Sequence, residues 1–141
     1  MIYKAVKYIL ENDSDFATAI GTDSDSDVKI YPVNPRKEVT LPFCVYNIMN
    51  MSGNPTKDNK SILGMDNYLV RVTVYDNELD DLIDISEKAR VAMDNQKAGG
   101  TFNTVTVNSI DFYNLRDGFD QGYGDRGVFY IEMDYEIWAT P

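Results

Sequence analysis

A chain of 141 residues, 43% apolar and 26% charged, is expected to form one globular domain over residues 1–141 with room for a real core. Its formal net charge of −10 argues against a protein whose main task is neutralising nucleic-acid phosphates. Histidine is absent and cysteine occurs once, which leaves no zinc ligand set, no internal disulfide and none of the commonest general base.

No apolar run approaches the roughly 20 residues of a membrane helix. Met1 to Leu10 is broken by Lys4 and Lys7 and followed at once by Glu11, so it reads as a surface helix over about Tyr3–Asn12 rather than a signal peptide. Ile2, Val6, Ile9 and Leu10 fall at i, i+4, i+7 and i+8, one apolar stripe. A short second helix follows, capped by Asp13 or Ser14, with Phe16 and Ile20 inward and Gly21 at its stop.

After the acidic loop Asp23-Ser24-Asp25-Ser26-Asp27 comes a short strand, Val28 to Tyr31, closed by Pro32. Pro35 and Pro42 bracket an irregular connection into a strand from Phe43 to Met49, in which Cys44 is expected as a buried structural thiol. Asn50 to Asn67 is a long polar stretch with Gly53, Pro55 and Gly64. Tyr68 to Tyr75 alternates Tyr68, Val70, Val72 and Val74 against Arg71 and Thr73, a half-buried strand.

The best-marked helix runs from about Glu78 to Asn95, with Asn77 as N-cap and Glu78, Asp80 and Asp81 at the positive end of its dipole. Its inward face is expected along Leu79, Leu82, Ile83, Ser86, Arg90 and Met93, and Gly99-Gly100 marks the turn beyond. Two strands close the pattern, Thr104–Tyr113 and Val128–Ala139, joined by a Gly-rich loop from Asn114 to Gly127. The last strand sets Phe129, Ile131, Met133, Tyr135 and Ile137 against Tyr130, Glu132, Asp134 and Glu136. The order α-α-β-β-β-α-β-β predicts an α+β fold: a mainly antiparallel sheet of four to five strands with two main helices packed on one face. The other face is left wet, or waiting for a neighbour.

Motifs that carry chemistry fail on their context. Gly122-Tyr123-Gly124-Asp125-Arg126-Gly127 is a literal G-x-G-x-x-G, but a strand follows it where a dinucleotide fold needs a helix N-terminus, so it reads as a hairpin tip. Asp23, Asp25 and Asp27 copy the start of a calcium loop, but Val28 and Asn34 stand where Gly and Glu are needed. Glu132, Asp134 and Glu136 share a strand face at roughly 6–7 Å steps without the sign of a cleft that acid–base work requires. No catalytic residue, metal or cofactor is therefore expected. The aromatic content is more telling: ten Tyr, six Phe and one Trp. Tyr113, Phe119 and Tyr123 lie in or beside the Gly-rich loop, and Tyr130 and Trp138 lie off the core face, as at protein interfaces. Lys57 and Lys60 are basic spots in an acidic chain, suited to a partner's acids, a phosphate or simply solvent.

Taken together, Lys29-Ile30-Tyr31-Pro32, then Leu41-Pro42-Phe43-Cys44-Val45-Tyr46, the strand Tyr68–Asp76 running into the Leu79–Met93 helix, and the closing Ile131–Trp138 resemble the tail completion or tail terminator (head–tail joining) proteins of long-tailed bacteriophages. The resemblance spans nearly the whole chain as a pattern of elements, with no catalytic signature. It implies a non-enzymatic homo-oligomer, a hexameric ring that caps the tail tube, meets the major tail tube protein and the head connector, and becomes part of a virion assembled in the host cytoplasm. DNA would pass through such a ring without specific binding, and Asp117, Asp120 and Asp125 are expected to face that lumen. No membrane partner is implied. Other neck or minor tail proteins, and a small ligand-binding or enzymatic domain, remain the alternatives.

Overall fold

The computed structural model describes residues 1–34, 39–54, 65–122 and 126–140. Three helices and six strands follow in the order α1 (Ile2–Glu11), α2 (Ser14–Ile20), β1 (Ile30–Pro32), β2 (Phe43–Asn54), β3 (Met65–Asp76), α3 (Leu79–Asp94), β4 (Gly100–Phe102), β5 (Val105–Asp120) and β6 (Val128–Thr140). The strands form one sheet in the order β1-β2-β3-β6-β5-β4, antiparallel throughout except for β1 beside β2. The expected α+β class holds, with six strands rather than four or five.

α1 buries Ile2, Ala5, Val6, Ile9 and Leu10, the expected stripe plus one alanine. α2 begins where Asp13 accepts the Phe16 N–H at 2.9 Å and ends at Gly21, whose φ of 79° lies in the region favoured by glycine. α1 and α3 lie against the strands, and α2 packs on both. One continuous core gathers Leu10, Phe16 and Leu82 from the helices with Val72, Met133 and Tyr135 from the sheet. No helix among the described residues is long and apolar enough to cross a membrane.

The inward face of α3 is rotated from its expected position. Leu82, Ile85, Ser86, Ala89, Ala92 and Met93 are buried, while Leu79 and Ile83 are largely exposed. Two alanines and a serine let the helix axis approach the sheet, so side-chain size chose the face over hydropathy. Arg90, expected on the inward side, instead lies with its guanidinium 4.0 Å from the Phe112 ring centre and pairs with Asp94 at 3.4 Å. The N-cap is Glu78 and not Asn77, whose N–H is taken by the Asp76 carboxylate at 2.7 Å.

Buried Ser86 has a hydroxyl with no hydrogen-bond partner among the described residues. Exchanging it for alanine removes an unmet polar atom and raises helix propensity. Ser86→Ala is therefore expected to stabilise the fold by about 1 kcal/mol, read from urea midpoints at unchanged m-value.

Several strand limits differ from the pattern-based ones, each for a local reason. Val28 bridges Thr22 and closes the acidic loop into a turn of its own, in which Asp23 accepts the N–H groups of Asp25 and Asp27, so β1 starts two residues late. The Tyr31 hydroxyl donates to the same carboxylate at 3.0 Å, and burial together with that acid pushes its pKa up to about 12. Lys29 is buried beside β1, donating to the Thr40 carbonyl at 3.2 Å; burial lowers its pKa against the opposing pull of Asp76 and Asp23. β2 and β3 both extend into the stretch read as a polar loop, up to Asn54 and from Met65. β5 likewise runs to Asp120, through half of the Gly-rich segment. β4 begins at Gly100, where only a turn was expected. The G-x-G-x-x-G lies in the chain between the antiparallel strands β5 and β6, with its residues 123–125 outside the described residues.

Cys44 is completely buried, and burial drives its thiol pKa well up, the inert thiol expected.

Candidate interaction surface

Directly paired residues of antiparallel strands share a sheet face, so the register assigns every side chain to the helix-covered face or to the open one. On the open face three lateral rows cross the sheet. Phe43, Tyr75, Tyr130 and Gly118 form the first, Val45, Thr73, Glu132 and Arg116 the second, and Asn47, Arg71, Asp134 and Asn114 the third.

The first row is aromatic. Phe43 stacks on Tyr75 at 4.9 Å between ring centres, and Tyr75 meets Tyr130 at 6.0 Å. Gly118 supplies the space at the end of the row, since a Cβ there would lie 2.3 Å from the Tyr130 hydroxyl. The other two rows are joined by charge. Arg71 holds Asp134 through a two-pronged contact at 2.8 and 3.2 Å and reaches Glu132 at 3.5 Å, while Arg116 closes on Glu132 from β5. Donating its hydrogen bond to the Asp134 carboxylate raises the Arg71 pKa against the opposing effect of burial, with the charges of Asp134 and Glu132 adding to the rise. Asn67 donates to Glu136 at 2.9 Å.

The open face is therefore not the simply wet surface expected from its alternating acids. Phe43, Val45, Thr73 and Asp134 are all buried on it, because aromatic and ionic neighbours cover one another across the strands. The three acids considered for acid–base work are spoken for: Glu132 and Asp134 by arginines, Glu136 by an asparagine.

On the sheet, exposed apolar groups stand at two places. On β5, Tyr113 is 66% exposed at a bulge between Phe112 and Asn114, Leu115 is 48% exposed and Phe119 is 44% exposed. Near the far end of the β2–β3 pair, Met49, Met51 and Met65 are similarly bare. Of the aromatic residues singled out from sequence, Tyr113 and Phe119 thus stand exposed on β5, where the Phe119 ring rests 4.8 Å from Phe129. Tyr130 and Trp138 are half-buried on the open face, with Trp138 opposite Asn67 and Ser109. Lys57, Lys60, Tyr123 and Asp125 lie outside the described residues. Asp117 and Asp120 are both exposed but point to opposite faces, Asp117 opposite core residue Ile131 and Asp120 three positions on. The Asp120 carboxylate also accepts the Gly122 N–H at 2.8 Å, shaping the turn.

Leu115, Arg116, Met51 and Met65 were missed because their segments read as loop, and Met49 because it closed a strand with no partner in view. Alternation extended through Asn114–Asp120 would have set Leu115 on one face with Phe119. An open cleft between α2 and α3, lined by Asp13, Asp15, Asp84, Glu87, Lys88 and Val91, is mostly acidic.

Both edges of the sheet are only partly covered. β1 pairs with Cys44–Tyr46, leaving β2 from Asn47 to Asn54 without a strand on that side among the described residues. β4 pairs with Val105–Val107, and the Ile110 N–H reaches Lys97, leaving β5 from Asp111 to Asp120 open likewise.

No family model matches this chain, and no curated protein matches it. Among solved structures, its fold is shared by a chain of the virion of a native gene transfer agent particle, with a TM-score of 0.59 over 97% of this chain and 92% of that chain, at 12% sequence identity. The likeness is one of fold.

Proposed function

We propose that this protein is a structural subunit of a phage-type virion and, within that class, a tail terminator or tail completion subunit. The observation that carries the first step is the fold shared with a virion component over nearly the full length of both chains. The second step rests on the sequence resemblance, together with a surface suited to joining protein to protein: half-covered sheet edges and the exposed Tyr113, Leu115 and Phe119 of β5.

In this reading copies of the chain, six in the resembling family, close a ring at the head-proximal end of the tail tube during assembly in the host cytoplasm. The ring stops tube growth and presents a second surface to the head connector. The segments Asn50–Asn67 and Asn114–Gly127 meet tube or connector in this reading, with Tyr123, Lys57 and Lys60 among the contacts. Asp117, Asp120 and Asp125 supply acids toward the lumen, and the overall negative charge keeps passing DNA from adhering.

Deleting the gene and imaging the resulting particles tests the assignment. Overlong tails are the expected result. Tails of normal length without heads would move the protein to the connector, and intact infectious particles would end the virion reading.

A further inference from the structure

We propose that the open segments of β2 and β5 are the two halves of one seam, through which a second copy of this chain joins head to tail by antiparallel strand pairing. The proposal rests on the assembly reading above only in requiring that copies of the chain join one another.

Strand direction permits the seam. Along the sheet β2, β3, β6 and β5 alternate, so β2 and β5 run oppositely within one copy. A neighbour placed side by side in the same orientation then brings its β2 antiparallel to the β5 of the first copy. Length and position agree as well. Among the described residues the parts without a neighbouring strand are Asn47–Asn54 on β2 and Asp111–Asp120 on β5, of similar span. On β2 the Ile48 N–H meets the Tyr3 hydroxyl at 3.4 Å and the Met51 N–H meets the Asn50 side chain at 2.9 Å, two contacts that the incoming strand replaces. Their covered parts lie beyond opposite ends of the seam: the neighbour's β1 stops it past Asn47 and β4 stops it before Asp111. The short edge strands therefore act as end-stops that fix the register.

Side chains favour the same partner. The β5 segment carries Asp111, Asp117 and Asp120 against one Arg116, so two copies of β5 pairing symmetrically over the whole segment would oppose Asp111 and Asp120. The β2 segment carries no charge. Keeping the helix-covered face continuous sets Met51 opposite Leu115, two exposed apolar side chains, and on the open face sets Asn50 opposite Arg116 and Ser52 opposite Asn114. The β5 edge also lacks the lysine or proline with which sheet edges are commonly blunted.

The test uses cysteines at the opposed positions, because directly paired antiparallel residues lie about 4.5–5.5 Å apart at Cα, within disulfide range. Ser52→Cys and Asn114→Cys chains, purified separately, mixed at high concentration and oxidised, are expected to give a mixed disulfide dimer, and the doubly substituted chain a ladder of larger species. Adding Leu115→Lys is expected to remove the ladder while leaving the circular dichroism and melting curve unchanged, since Leu115 is exposed. Disulfides between two Asn114→Cys chains, no cross-linked product at high concentration, or a ladder indifferent to Leu115→Lys would each overturn the seam. The gene-deletion phenotype is read on tails and not on the purified chain, so the two ideas fail separately.

Discussion

Arg71→Met is expected to destabilise the protein by about 3 kcal/mol, because it leaves Asp134 as a buried carboxylate without its main cation. The Arg71 side chain is about one-fifth exposed and that of Asp134 8% exposed, so solvent can offset only part of the loss. Glu132 retains Arg116 and is cushioned. The companion variant Arg71→Met with Asp134→Leu is expected to recover most of the loss, since apolar pairs of similar volume replace such bridges at little cost. Urea unfolding of the two single variants and the pair closes the cycle. A single Arg71→Met chain as stable as the parent would show that the charge network is incidental to the fold. Because Asn114 and Arg116 border this network on β5, its loss is also expected to loosen the β5–β6 pairing, visible as faster amide exchange along Leu115–Asp120.

Gly99→Ala is the second large effect, expected at about 2–4 kcal/mol from a strained backbone added to a steric clash. Gly99 has a φ of 83°, and a Cβ built there would lie 2.3 Å from the Val107 carbonyl oxygen and 2.7 Å from that of Asn108. These are backbone atoms of β5, which cannot swing aside as a side-chain tip can. The turn sends the chain leaving α3 back along β5 as β4. Thermal melting should fall by several degrees, and an unshifted midpoint would show that the turn is slack.

Elements with strong periodicity were legible from the residues alone. The α1 stripe, the Asp13 cap of α2, the alternating Tyr68–Tyr75 core and the inward set of β6 appear as read. The failures share a cause. Strand pairing is a backbone property, and where polar residues and glycine interrupt the pattern the side chains report it weakly. Asn50–Asn54, Met65–Asn67 and Asn114–Asp120 were lost to loops in this way, along with the exposed Met51, Met65 and Leu115. The α3 face was misplaced because Ala89 and Ala92 score weakly on hydropathy yet give the closest approach to the sheet. The bonds of the open face were invisible for a different reason: Arg71 and Asp134 are 63 positions apart and meet only through the β3–β6 register.

That register has a kinetic corollary. β6 is last in chain order yet occupies the middle of the sheet, between β3 and β5. Until it inserts, a β1-β2-β3 half-sheet and a β4-β5 strip have no common border, and the pairing that unites them closes a loop from Val72 to Met133. Closure over such separations is slow compared with helix or hairpin formation. During synthesis the half-sheets wait with bare β3 and β5 borders, a period in which chaperone binding or mispairing between nascent chains competes with completion.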